Sequence, residues 1–156
     1  MAYQGFGGLR SIHDLYEKLA KDYQRVLDNK GDAHCAFDFF VTAHHMVDWL
    51  YPNNRRHQRE FEESEVLLQL CSHIANGAKH FTATAKKHQS VTSVENKNVV
   101  NFGYLVEKGV IELGYVERCL YVELDGDAKS RYGKSMKAEV LAWEILEFWR
   151  QKLYPQ

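Results

Sequence analysis

Apolar residues recur every three or four positions over residues 9–29, at Ile12, Leu15, Leu19, Tyr23, Val26 and Leu27. That spacing places them on one helix face. Ser11 followed by Asp14 has the form of a capping box at the start, and Lys18, Lys21, Asp22 and Arg25 fall mostly off the stripe, toward water. Lys30-Gly31 breaks this helix, and Asp32 can cap the next. Residues 33–51 predict a second helix, rich in Phe, Val and Trp and without Lys, Arg or Glu. A helix this apolar belongs at the centre of the fold, with Phe37, Phe40, Val41, Val47 and Leu50 mostly inaccessible. Pro52-Asn53-Asn54 ends it. Residues 60–79 predict a third helix, with Phe61, Val66, Leu67, Leu70, Cys71, Ile74 and Ala78 as its apolar side. Its acidic start (Glu60, Glu62, Glu63, Glu65) suits the positive end of a helix dipole.

The pattern changes after that. Residues 82–98 are polar and aperiodic and read as a loop. Residues 99–106 and 115–124 are rich in β-branched and aromatic side chains and predict two strands, with Glu107-Lys108-Gly109 as the turn and Gly114 as a bulge or second turn. Asp125-Gly126-Asp127 is a further turn signal. Residues 135–153 predict the last helix, offering Val140, Leu141, Ile145, Phe148 and Trp149 to the core. The expected fold is mainly α: a four-helix bundle-like domain with a β-hairpin, about residues 99–124, inserted between the third and last helices.

The length of 156 residues predicts a single helical domain, 1–156, with room for a proper core. A formal charge of −1 gives no global field that would draw nucleic acid or anionic lipid. Cys35, Cys71 and Cys119 are widely spaced and odd in number, as expected of reduced thiols in a cytoplasmic protein. The start MAYQGFGGLR has no apolar signal-peptide core, and no apolar run approaches the ~18 residues that span a membrane.

Candidate chemistry gathers on two helices. The second carries His34, Asp38, Thr42, His44, His45 and Asp48 within an arc of about 160°. These are short groups that bind neighbours or ligands, where a solvated face would use Lys and Glu. On the third, His73, Asn76, Gly77 and His80 share an arc of roughly 100°. If the two faces meet, Asp48 comes within hydrogen-bonding reach of His80 or His73, and Gly77 lets the helices approach closely. Such a cluster has three uses. It can bind a metal, although no metal motif is present and none is assigned. It can perform acid–base or ligand chemistry, with His80 as base, Asp48 orienting it, Lys79 meeting a phosphate and Asn76 in the same cluster. Or it can satisfy buried polar groups. His44, His45 and His73 are candidate ligand-binding groups, as are Arg55 and Arg56 in a basic cluster at a helix start. No nucleotide loop or nucleophile elbow occurs, and the residues name no cofactor.

The segment IANGAKHF resembles a degenerate form of the HEPN superfamily signature, an arginine, a polar residue, three further residues and a histidine. Asn76 stands at the polar position and His80 at the histidine, but Ala75 replaces the arginine. FDFFVTAHHMVDWLYP together with CSHIANGAKHF also resembles a group of small bacterial proteins without an assigned activity. The HEPN resemblance implies a small helical bundle, often from toxin–antitoxin or antiviral systems and often a metal-independent ribonuclease. Without the arginine it implies a non-catalytic member or one with altered chemistry. The expected function is binding of a partner or a small anionic, nucleotide-like ligand through a His/Asp/Asn pocket. The alternatives are a ribonuclease with a non-standard site and a metal-dependent hydrolase. A protein partner, a second copy, RNA or a nucleotide are the partners in view, and a membrane is not.

Overall fold

A computed structural model describes residues 5–80, 90–101 and 115–156, except for the side chains of 78–80, 100, 101 and 115. The described residues are mainly helical, with six helices and a small antiparallel sheet of three strands. The order is α1 (Ile12–Asp28), α2 (Ala33–Leu50), α3 (Arg55–Ser64), α4 (Val66–His80), β1 (Val91–Asn101), β2 (Tyr115–Leu124), α5 (Gly126–Tyr132), β3 (Ser135–Lys137) and α6 (Ala138–Leu153). None of these helices is long and apolar enough to cross a membrane.

The first two helices start where local chemistry places them. Ser11 and Asp14 form the reciprocal capping box of α1, and the Asp32 side chain accepts from His34 N at the start of α2. α2 is the central element, packed against α1, α3, α4 and α6. Its buried residues Cys35, Ala36, Phe39, Phe40, Ala43, Met46 and Val47 follow helical spacing and are at most 6% exposed. Two of the expected core residues, Phe40 and Val47, belong to this stripe. Val41 and Leu50 are half-buried at its margins, and Phe37 lies off it and is 48% exposed.

Part of the polar side of α2, Asp38 and Thr42, is explained by α1. Thr42 donates from its hydroxyl to Asp22 (2.7 Å), and Lys18 reaches both Asp22 (2.5 Å) and Thr42 (2.8 Å). Arg25 bonds Asp38 at 2.9 Å and lies 3.6 Å from the second Asp22 oxygen. The long cations that α2 lacks are supplied by α1, which leaves the 4%-exposed Asp22 neutralised inside the seam. α1 also packs against α6. His13 hydrogen-bonds Tyr154 just beyond the last turn of α6 (3.0 Å), and Tyr23 lies against Trp143 with ring centroids 5.8 Å apart.

Four boundaries differ from the sequence reading. The expected helix over 60–79 is two helices, broken at Glu65, whose φ of −129° and ψ of 118° are extended. α3 has no buried residue, so the apolar pattern did not reveal its start. The expected loop over 82–98 contains most of β1, residues 91–98; residues 82–89 lie outside the described residues. β1 escaped notice because it is an edge strand with mostly exposed residues, and a register shift between Val91 and Ser93 breaks its alternation. Asp125-Gly126-Asp127 opens α5, with Asp125 at its N-cap, rather than making a simple turn. The last helix starts at Ala138, because Ser135–Lys137 pairs with Glu123, Val122 and Tyr121 as a third strand. The turn expected at Glu107-Lys108-Gly109 and the bulge at Gly114 lie outside the described residues.

β2 carries the buried side of the sheet through Leu120, Val122 and Leu124. Its Leu120 N–H bonds Lys30 O in the α1–α2 connection (3.0 Å). Gly31 sits there because a Cβ would stand 2.8 Å from Arg118 O.

Candidate functional site

The sequence-selected residues do not form one pocket. Asp48 and Arg55 line one cleft and His73 another, at opposite ends of α2. Asp48 is in the last turn of α2, where His45 Nδ1 donates to its Oδ2 at 3.1 Å. That bond holds the Asp48 carboxyl below its ordinary pKa, against partial burial, with further help from the nearby His44 and His45 rings. His73 lies beside the other end of α2, where Ala33, Ala36, Phe37 and Phe40 share its cleft. From Phe40 to Asp48 the helix rises about 12 Å, so the expected Asp48–His73 contact is absent. Sequence periodicity gives the angle of a side chain around a helix, but not which end of the neighbouring helix it meets. The other half of that expectation, Asp48 with His80, involves a side chain outside the described residues, as does the role assigned to Lys79.

His73 is 8% exposed and organises the start of β1. Its Nδ1 accepts from the backbone N–H of Val91 (3.0 Å) and of Ser90 (3.2 Å), with the Ser90 hydroxyl also at 3.2 Å. A ring nitrogen that accepts backbone N–H groups carries no proton, so the neutral ring holds its hydrogen on Nε2. Asn76 turns its amide nitrogen to Ser72 O, one turn back on its own helix (2.8 Å). Ala75, at the arginine position of the HEPN-like motif, is 8% exposed. Gly77 does not mediate a close helix approach: among the described residues nothing lies within 4 Å of where its Cβ would be, and it opens onto the cleft instead. This strand-side cleft, of about 450 Å³, runs between α2, α4 and the inner face of β1. Phe37, Phe40, Ile74, Val94 and Leu120 make it largely apolar.

The second cleft, of about 620 Å³, is polar. The start of α1, the last turn of α2 and the start of α3 converge there, bringing Arg10, Ser11, Asp48, Trp49, Arg55 and Gln58 to one concave surface. Local sequence fixes each wall. Pro52 and the left-handed Asn53 (φ 61°) turn the chain out of α2. Asn54 then caps α3 through His57 N (3.2 Å), so Arg55 begins the helix. Gln58 ties the turn back through Tyr51 O (2.8 Å). Among the described residues neither the Arg10 nor the Arg55 guanidinium has a carboxylate partner. Asp48 and Arg55 are thus the two sequence-selected residues that the fold brings together. Arg10 was missed, although its place immediately before the N-cap Ser11 marks it as a cation at a helix start.

The remaining candidates are dispersed. His44 is half-buried with Nδ1 3.8 Å from Glu62 on α3. Arg56 pairs with Glu60 at 2.7 Å on the exposed side of α3. Among the described residues no group of three or more His, Cys, Asp or Glu is placed to hold one metal ion. The arginine-lined cleft brings two guanidinium groups, a carboxylate and an indole to one surface. Its hydroxyl, on Ser11, is engaged with Asp14 in the helix cap (2.8 Å), whereas two guanidinium forks beside an indole match an anionic group joined to a flat one. No family model, curated protein or solved structure matches the chain.

Proposed function

We propose that the protein is a binding module for a small anionic, nucleotide-like ligand held in the arginine-lined cleft. The long helices α1, α2, α4 and α6 would act as a four-helix bundle-like scaffold for it. The observation that carries this reading is the convergence of Arg10 and Arg55, both without a described carboxylate partner, on a concave surface that also holds Trp49. A phosphate or carboxylate would take both guanidinium groups, a planar ring would lie on Trp49, and the ionised Asp48 would accept from an amine or hydroxyl. Titration calorimetry with nucleoside monophosphates, the matching nucleosides and inorganic phosphate tests it. A monophosphate should bind saturably, the nucleoside should not, and Arg55→Ala should weaken binding by roughly tenfold or more, the worth of one hydrogen-bonded charge. A panel without saturable binding, or binding indifferent to Arg10→Ala and Arg55→Ala, refutes the reading.

The HEPN-like alternative is supported by the motif around Asn76 and His80 and would make the chain a ribonuclease with a non-standard site. Incubation with total RNA, comparing wild type with His80→Ala, tests it. Cleavage lost in the variant would favour that alternative over the binding module.

A further inference from the structure

β1 is eleven residues long and, among the described residues, pairs on one side only, with β2. Its free side can be read from bonds made elsewhere. The N–H groups of Leu120 and Leu124 point away from β1, to Lys30 O and Lys134 O. Asn96 stands opposite Leu120 in the ladder, with Val94 opposite Val122 and Asn98 opposite Arg118. Bonded and non-bonded pairs alternate in an antiparallel ladder. The backbone groups of Val94, Asn96 and Asn98 therefore point outward, along an edge with no strand partner among the described residues.

Between residues 91 and 101 the only charged side chains are Glu95 and Lys97, of opposite sign and two apart. This pattern is self-complementary. If a second β1 runs antiparallel with Asn96 on the two-fold axis, Glu95 faces the partner's Lys97 and Lys97 faces the partner's Glu95. Both fall at the non-hydrogen-bonded positions, where opposing side chains approach most closely. No other register matches both charges. Glu95 is exposed and has no cation bound to it among the described residues. Lys97 pairs with Glu123 and lies over the Tyr121 ring with its remaining N–H groups available. The outward-facing pairs 94 with 98, 96 with 96, and 98 with 94 would supply about six backbone hydrogen bonds. On the inner face, Val94 is 42% exposed at the mouth of the strand-side cleft, near Phe37 at 48%, so a neighbouring strand would cover apolar surface that this chain leaves open.

We propose that β1 is a homodimer interface, in which two copies join edge to edge to form one six-stranded sheet. Charges on a strand edge commonly discourage pairing. Here their order admits one partner and one register, which is how a closed two-fold interface differs from open-ended aggregation.

Sedimentation equilibrium from about 1 µM to about 1 mM protein, with circular dichroism as the check on folding, tests the proposal. The wild type should be a reversible dimer. Glu95→Lys and Lys97→Glu each place like charges opposite one another twice and should weaken association by roughly tenfold or more. Mixing the two variants should restore it, because each then meets its opposite. Asn98→Pro removes an outward N–H that β2 does not use, so it should give a folded monomer. A wild type that stays monomeric, a dimer insensitive to these changes, or a mixture that fails to recover association would overturn the interface.

Discussion

Asp22 and Asp38 occupy one seam between α1 and α2, yet they differ in what their removal exposes. Asp22 is 4% exposed and gathers Lys18, Thr42 and Arg25. Asp22→Ala would take the carboxylate from the half-buried Lys18 ammonium and leave the Thr42 hydroxyl only the Asp38 carbonyl (2.9 Å) to donate to, at a cost of about 2 kcal/mol. The Asp38–Arg25 pair has side chains 44% and 50% exposed, and water replaces it readily, so Asp38→Ala should cost less than about 1 kcal/mol. Urea denaturation of the two variants measures the contrast. His73 makes a second residue-scale case. His73→Leu should cost about 2 kcal/mol, because two backbone N–H groups lose their acceptor. His73→Asn, whose side-chain oxygen can reach the same place, should recover part of that loss. Equal destabilisation by both, seen in thermal melts, would mean that ring packing, and not the acceptor nitrogen, is what β1 depends on.

At the scale of elements, the connection between α1 and α2 is set by a close approach to β2. A methyl at Gly31 would meet the backbone carbonyl oxygen of Arg118 at 2.8 Å, an atom that cannot swing away as a side-chain tip can. Gly31→Ala should therefore destabilise the fold by about 1–3 kcal/mol, the usual cost of overpacking, and should speed hydrogen exchange at the Leu120 amide. On α6, the bond from Arg150 holds the Glu147 carboxyl down to about 2, assisted by Gln151. Because the folded value lies below the ordinary one of 4.5, this pair contributes stability above that pH and loses it as pH falls toward about 2. Carbon-13 titration of the Glu147 carboxyl should show the low midpoint, and Arg150→Gln should return it to the ordinary range. α1 and α2 were legible in the sequence because their caps and apolar spacing are local properties. β1 was not, because an edge strand with a bulge buries too little to leave an alternating pattern. The site was half legible: Asp48 and Arg55 stood out by residue type, but only the turn at Pro52–Asn53 shows that they share a cleft with Arg10.

At the scale of the whole molecule, the three cysteines bear on how the core opens. Cys35, Cys71 and Cys119 are all buried and unpaired, and burial pushes the Cys71 thiol well above its ordinary pKa. Ellman's reagent should label Cys71 only at the rate of global unfolding. Rapid labelling in the native protein would show that α4 separates from α2 on its own. The seam between α1 and α6 has a different consequence, for the chain during its synthesis. Asp28 ends α1 and Ala138 begins α6, 110 positions later. At ordinary elongation rates that interval is roughly 5–20 s. Until α6 emerges, α1 lacks the helix that covers its other side, and the Lys18–Asp22–Thr42 contacts with the Arg25–Asp38 pair hold it in register on α2. The nascent protein thus waits with the flank of α1 that α6 will cover still open. Trp149, which reaches 0% exposure when α6 docks, would shift its fluorescence on the closing step of folding.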